Sequence, residues 1–173
     1  MAYNKNPLYG SNSFDHRQSQ VLFASAAQST HTDSTDAVDL CTFSIPANKL
    51  EKGDILRIQV RATVTDNNST DTLTPILNFG GSAIATGAAL DVADADVVWA
   101  DAIVAVTAIG ASGTMTAHSE IRTDALAATT VRATTALSSK DTTGALAIAL
   151  NVDWSVAHAE NIAIHQWTTI EIV

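Results

Sequence analysis

The sequence predicts an all-β protein, an antiparallel jelly-roll sandwich with an extended N-terminal arm. Three observations predict it. Beyond Gln20 apolar and polar residues alternate with a period of two. Clusters of Gly, Asn, Asp, Ser and Pro break that alternation into runs of strand length. Residues 1–20 are composed differently from the rest, rich in Asn, Ser and Gln.

The arm comes first. "MAYNKNPLYGSNSFDHRQSQ" is polar, yet it holds both tyrosines of the chain, Tyr3 and Tyr9, together with Phe14. Pro7 and Gly10 break any helix there. Solvated tails are usually poor in aromatics, so Tyr3, Pro7, Tyr9 and Phe14 are expected to anchor the arm on a partner or a neighbouring subunit. The domain division is therefore 1–20 for the arm and 21–173 for the sandwich.

The strands follow. "DILRIQVRATVT" sets Leu56, Ile58, Val60, Ala62 and Val64 on one face, and Arg57, Gln59, Arg61 and Thr63 on the other. "ALAIALNVDW" sets Leu146, Ile148, Leu150, Val152 and Trp154 against Ala147, Ala149, Asn151 and Asp153. In "NIAIHQWTTIEIV" strict alternation gives Ile162, Ile164, Gln166, Thr168, Ile170 and Ile172 one face, and Ala163, His165, Trp167, Thr169, Glu171 and Val173 the other. Shorter strands are expected at 21–25, 39–45, 72–78, 83–86, 99–109, 114–121 and 129–136. Turns fall at Pro46-Ala47-Asn48, Lys52-Gly53-Asp54, Asp66 to Ser69, Gly80-Gly81, Gly110 to Gly113 and Lys140-Asp141. "DALAAT" and "SVAHAEN" are each long enough for one helical turn. The Ala content favours helix, but alternation with Val, Ile and Thr favours strand.

Eight to ten strands in a body of about 150 residues pack as two face-to-face sheets. A jelly roll suits them better than an immunoglobulin sandwich: the strands are long, and the Cys…Trp…Cys pattern is missing. The strand around "WADAIVAVTAIG" is largely apolar on both faces. Such a strand needs cover on both sides, from another subunit or from a crossing loop. Trp99 and Ile103, with Trp167 opposite the aliphatic row of the last strand, are expected at a subunit interface.

Composition excludes several functions. The formal net charge is −9, which opposes binding to nucleic acid. No apolar run approaches the roughly 20 residues of a membrane span. Residues 1–20 carry Lys5, Asp15 and Arg17 and no apolar stretch, so no secretory signal is expected. Asn68-Ser69-Thr70 is then better read as a hairpin turn than as a glycosylation acceptor. Cys41, the single cysteine, has no internal partner and is expected to be a small strand residue.

"DWSVAHAEN" places Asp153, Ser155, His158 and Glu160 close together, the inventory of a hydrolase. A nucleophilic Ser needs a sharp glycine-flanked turn, and no Gly-x-Ser-x-Gly occurs. A metal pair on one helix needs two His, and this stretch has one. The stretch is expected to join two core strands. "DVADAD", Asp91 to Asp96 with Asp101 beyond, is dense in carboxylates but lacks the Gly and terminal Glu of a calcium loop. His16, His31, His118, His158 and His165 are scattered, although His118 and Glu120 share one strand face. No catalytic, cofactor or metal site is expected.

The order "VLFASAAQST", "LCTFSIPANKLEKGDILRIQV", "LTPILNFGG", "WADAIVAVTAIGASGTM" and "LNVDWSVAHAENIAIHQWTTIEI" resembles small jelly-roll virion proteins of tailed bacteriophages, of the capsid cement or decoration type. The resemblance covers most of residues 20–173. It rests on strand and turn patterns and transfers no functional residue. It implies a homotrimer without enzymatic activity or cofactor. Such a protein is made in the host cytoplasm and binds the outer capsid surface, where it clamps neighbouring major capsid protein subunits. A tail-fibre or receptor-binding module is the alternative. The scarcity of aromatics in the loops weighs against sugar binding there.

Overall fold

The computed structural model describes residues 20–66, 70–91, 96–124 and 129–173. The arm anchors Tyr3, Pro7, Tyr9 and Phe14 lie outside the described residues. So do His16, the Asn68-Ser69 turn, the middle of the acidic run and most of "DALAAT".

Twelve strands are found among the described residues: β1 (Gln20–Ser25), β2 (Thr30–Thr32), β3 (Val38–Ile45), β4 (Ile55–Thr65), β5 (Thr72–Phe79), β6 (Ser82–Thr86), β7 (Leu90–Asp91), β8 (Asp96–Ala108), β9 (Gly113–Thr123), β10 (Thr130–Lys140), β11 (Leu146–Trp154) and β12 (Ile162–Ile172). No helix of the described residues is long and apolar enough to cross a membrane.

The larger sheet runs β1-β12-β4-β8-β9-β10, with β2 beside β12. The smaller runs β3-β11-β5-β6, with β7 beside β5. Set aside the short β2 and β7 and the hairpin extension β9–β10. The eight remaining strands then divide, in chain order, as 1-8-3-6 and 2-7-4-5. That interleaving is the jelly roll. β9 and β10 continue the larger sheet as a meander from β8.

The core lies between the sheets. Leu56, Ile58, Val60, Ala62 and Val64 of β4 are all fully buried, as are Ile148, Leu150 and Val152 of β11. Each large aliphatic side chain removed from water in this way contributes about 1.5–3 kcal/mol. Val98, Ala100, Ala102, Val104 and Val106 supply the inward row of β8. Phe23 of β1 meets Phe43 of β3 with ring centroids 4.1 Å apart, joining the two sheets at one edge.

β12 corrects the single alternating face expected for it. Its pairing with β4 shifts register between His165 and Trp167. The extra residue of this β-bulge reverses the alternation. Ala163 and His165 therefore face the core ahead of the bulge, and Thr168, Ile170 and Ile172 after it, while Ile162 and Ile164 are only partly buried. The bulge lets His165 bond at both ring nitrogens, to Ala27 O at 2.7 Å and Thr168 Oγ1 at 2.9 Å. The carbonyl must accept, so Nδ1 carries a proton and donates.

At the sandwich end near the β5–β6 hairpin, Gly80 and Gly81 both take positive φ, 53° and 74°. Two such residues in sequence suit the tight primed turn of a hairpin. Lys140, at the end of β10, is buried and caps this turn: its Nζ donates to Gly80 O at 2.8 Å and to Ser82 Oγ at 2.6 Å. Lys140→Met keeps the stem and deletes these bonds. It should lower unfolding stability by about 1–3 kcal/mol, read from urea denaturation, whereas a loss below the error of that measurement means the ammonium is dispensable.

Candidate functional site

The outer face of the larger sheet carries a grid of side chains, assembled by register. Three rows cross β12, β4, β8, β9 and β10 in turn. The first is Glu171, Arg57, Ile103, His118 and Thr134; the second is Thr169, Gln59, Asp101, Glu120 and Arg132; the third is Trp167, Arg61, Trp99, Arg122 and Thr130. On β12, β4, β8 and β9 each residue faces outward because the intervening residues are buried, and on β10 the intervening Val131 and Ala133 are half-buried.

Asp101 and Glu120 stand directly opposite one another. Like charges in that position repel, and guanidinium groups offset the repulsion. Arg61 grips Asp101 with two bonds, Nη1 to Oδ1 at 2.8 Å and Nη2 to Oδ2 at 3.2 Å. Arg122 approaches Asp101 Oδ2 at 3.8 Å and donates Nε to Glu120 Oε1 at 2.9 Å. Arg132 donates Nε to Glu120 Oε2 at 2.6 Å. The third row is a cation–π ladder, with the Arg61 guanidinium 4.9 Å from the Trp167 ring centroid and that of Arg122 5.5 Å from Trp99. The Arg61 side chain is only 12% exposed, so its bidentate pair is screened least. The remaining pairs are surface ones, worth about 0–1 kcal/mol each. Their consequence is order: they hold these side chains in place.

The first two rows enclose a depression of about 520 Å³. Arg57 and Gln59 line it from β4, Asp101 and Ile103 from β8, His118 and Glu120 from β9, and Arg132 and Thr134 from β10. His118 Nδ1 lies 3.0 Å from Thr134 Oγ1.

The residues expected at a subunit interface, Trp99, Ile103 and Trp167, all lie on this face. Ile103 is 47% exposed, while the two indoles carry guanidiniums against their rings. β8 is thus apolar inward and mixed outward. Asp101, noted only as an extension of the acidic run, is a hub of this network. Arg122 and Arg132 were not singled out by the sequence; their outward parity is legible, but their neighbours depend on cross-strand register.

"DWSVAHAEN" is not assembled for catalysis. Ser155 Oγ accepts from the Thr72 backbone N–H at 2.8 Å, and Ser155 N donates to Thr72 O at 2.9 Å. His158 Nδ1 lies 3.3 Å from Glu160 N. No hydrogen bond joins Asp153, Ser155 and His158. Trp154 closes the inward row of β11, as expected. His31 is buried in β2 with no hydrogen-bond partner at Nε2. Burial pushes the Cys41 thiol above its ordinary pKa, which disfavours the reactive thiolate. Asp91 and Asp96 are described, and among the described residues no group of three or more His, Cys, Asp or Glu is placed to hold a metal ion.

No protein-family model matches the chain, and no curated protein matches it. Solved structures give loose likenesses. A sugar-binding protein, the EclA C-terminal domain, is 11% identical with a TM-score of 0.40, covering 92% of this chain and 88% of that one. The infectious bursal disease virus Gx strain structure is 11% identical with a TM-score of 0.41, covering 99% of this chain and 36% of that one. The CBM2 module of the evolved Dit of Lactobacillus casei BL23 phage J-1 is 12% identical with a TM-score of 0.35, covering 76% and 67%. Two of the three come from a virus and a phage.

Proposed function

We propose that this chain is a structural virion protein of the capsid cement type. It acts from the outer surface of the shell as a homotrimer, clamps neighbouring major capsid protein subunits, and performs no catalytic step. The observation that carries the reading is where the arm joins the fold. Among the described residues β1 is an edge strand that pairs with β12, and its first residue, Gln20, is exposed. Residues 1–19 therefore attach at the rim of a finished jelly roll. A segment so placed adds contact area beyond the footprint of the compact domain, and Tyr3, Pro7, Tyr9 and Phe14 are its anchors. The polar residues of reactive type support the same reading: Ser155 and His165 hold strands and connections together.

Deletion of residues 2–18 tests it. The truncated protein should keep its β-sheet circular dichroism and its unfolding midpoint, since the core between the sheets is built from Leu22 onward. Its cosedimentation with emptied shells should fall at least about ten-fold, the equivalent of about 1.4 kcal/mol. Binding at full strength by the truncated protein overturns the arm's role.

A further inference from the structure

We propose that the depression on the outer face of the larger sheet binds a carboxylate-bearing sugar. Three features select that ligand. The first is its hydrogen-bond balance. All four carboxylate oxygens of Asp101 and Glu120 already face guanidinium nitrogens. The donors on opposite walls are less committed. Arg57 is 51% exposed, and its ion pair is a long 3.7 Å contact with Glu171. Arg132 is 77% exposed and engages Glu120 through Nε, leaving its terminal nitrogens toward solvent. A site with donors to spare and its acceptors occupied favours an anionic ligand, and a guanidinium matches a carboxylate with two parallel bonds.

The second feature is charge. All four described arginines, Arg57, Arg61, Arg122 and Arg132, lie on this one face with three carboxylates, Asp101, Glu120 and Glu171. The chain as a whole has a formal net charge of −9. An anion therefore meets its one arginine-rich surface among the described residues here.

The third feature is shape. About 520 Å³ is the size of a small-ligand site and admits one or two sugar rings. Arg57 on β4 and Arg132 and Thr134 on β10 stand on its two sides, so the spare donors face each other across the span of a sugar ring or two. Ile103, exposed among the lining residues, offers an apolar surface for the C–H face of a ring. Gln59, His118 and Thr134 add polar groups to the lining for sugar hydroxyls. The ladder of Trp99, Trp167, Arg61 and Arg122 is the brace beside the site.

The site needs Ile103 uncovered and so takes it out of the subunit interface expected from the sequence. It depends neither on the arm nor on shell binding, so its failure leaves that reading intact. Calorimetric titration of the full chain with oligogalacturonides and with sialic-acid-terminated oligosaccharides tests it, with the methyl esters of both as controls. At least one free acid should bind, with its ester at least about ten-fold weaker. Arg57→Ala and Arg132→Ala should each weaken the free acid about ten-fold, with the unfolding midpoint unchanged. Equal binding of acid and ester overturns the proposal. So does no binding of either acid at millimolar concentration, or a poly-glutamate peptide that binds more tightly than both sugars.

Discussion

Trp154→Ala should be the most destabilising single truncation in this protein, costing about 3–5 kcal/mol. Trp154 is 1% exposed and heads the largest fully buried side chains. It ends the inward row of β11, opposite Leu73 of β5, so its removal opens a cavity where the smaller sheet meets the connection to β12. For a domain of this size the loss should lower the melting temperature by about 6–20 °C. Trp154→Phe isolates the cause. The indole Nε1 has no hydrogen-bond partner, so phenylalanine retains most of the apolar contact and deletes a buried, unsatisfied donor. Its cost should stay below about 2 kcal/mol. Thermal unfolding of both variants checks the pair. Equal losses show that the indole N–H is bonded in solution and that lost packing does not dominate the cost.

Trp154 also shows what the sequence makes legible. Period-two alternation identifies the inward rows of β4 and β11 because those strands run 11 and 9 residues without interruption, whereas in β8 it leaves two largely apolar faces that only the fold tells apart. The same rule misassigns the first half of β12. One inserted residue at Gln166 reverses the faces, and a bulge leaves no mark in composition. β2 and β7 were missed because three and two residues are too short to display a period. The functional grid was partly visible. Arg57, Arg61 and Trp167 are recognisably outward from their own strands, whereas Trp99 sits on one of two apolar faces. That Trp167 stacks on Arg61, or that Asp101 lies beside Glu120, is set by register between segments far apart in the chain. Parity gives the face, and only pairing gives the neighbour.

The other end of "DWSVAHAEN" carries the second large effect. Asn161→Leu should cost about 2–4 kcal/mol, although it preserves most of the side-chain volume. Asn161 is fully buried, and its amide donates to Asp71 Oδ2 at 2.9 Å and to Val156 O at 3.0 Å. Asp71 is itself buried, just ahead of β5. Leucine therefore strips a donor from a carboxylate that water does not reach, and that desolvation is the main cost. Asp71→Asn is milder, about 1–2 kcal/mol, because the new amide oxygen still accepts from Asn161. The double-mutant cycle decides between loss of packing and an abandoned charge. With Asn161→Leu in place, Asp71→Asn should cost less than it does alone, or even recover stability, since it removes the charge that leucine left unpaired. Additive losses mean the two side chains act independently. A coupled cycle identifies the Asp71–Asn161 bond as the clasp that fixes the 155–161 connection to the start of β5, with Ser155 and Thr72 as its second fastening. On that account Ser155 and His158 serve the backbone around a seven-residue crossover between two core strands, and their nearness to Asp153 and Glu160 reproduces the residue types of a hydrolase without its geometry.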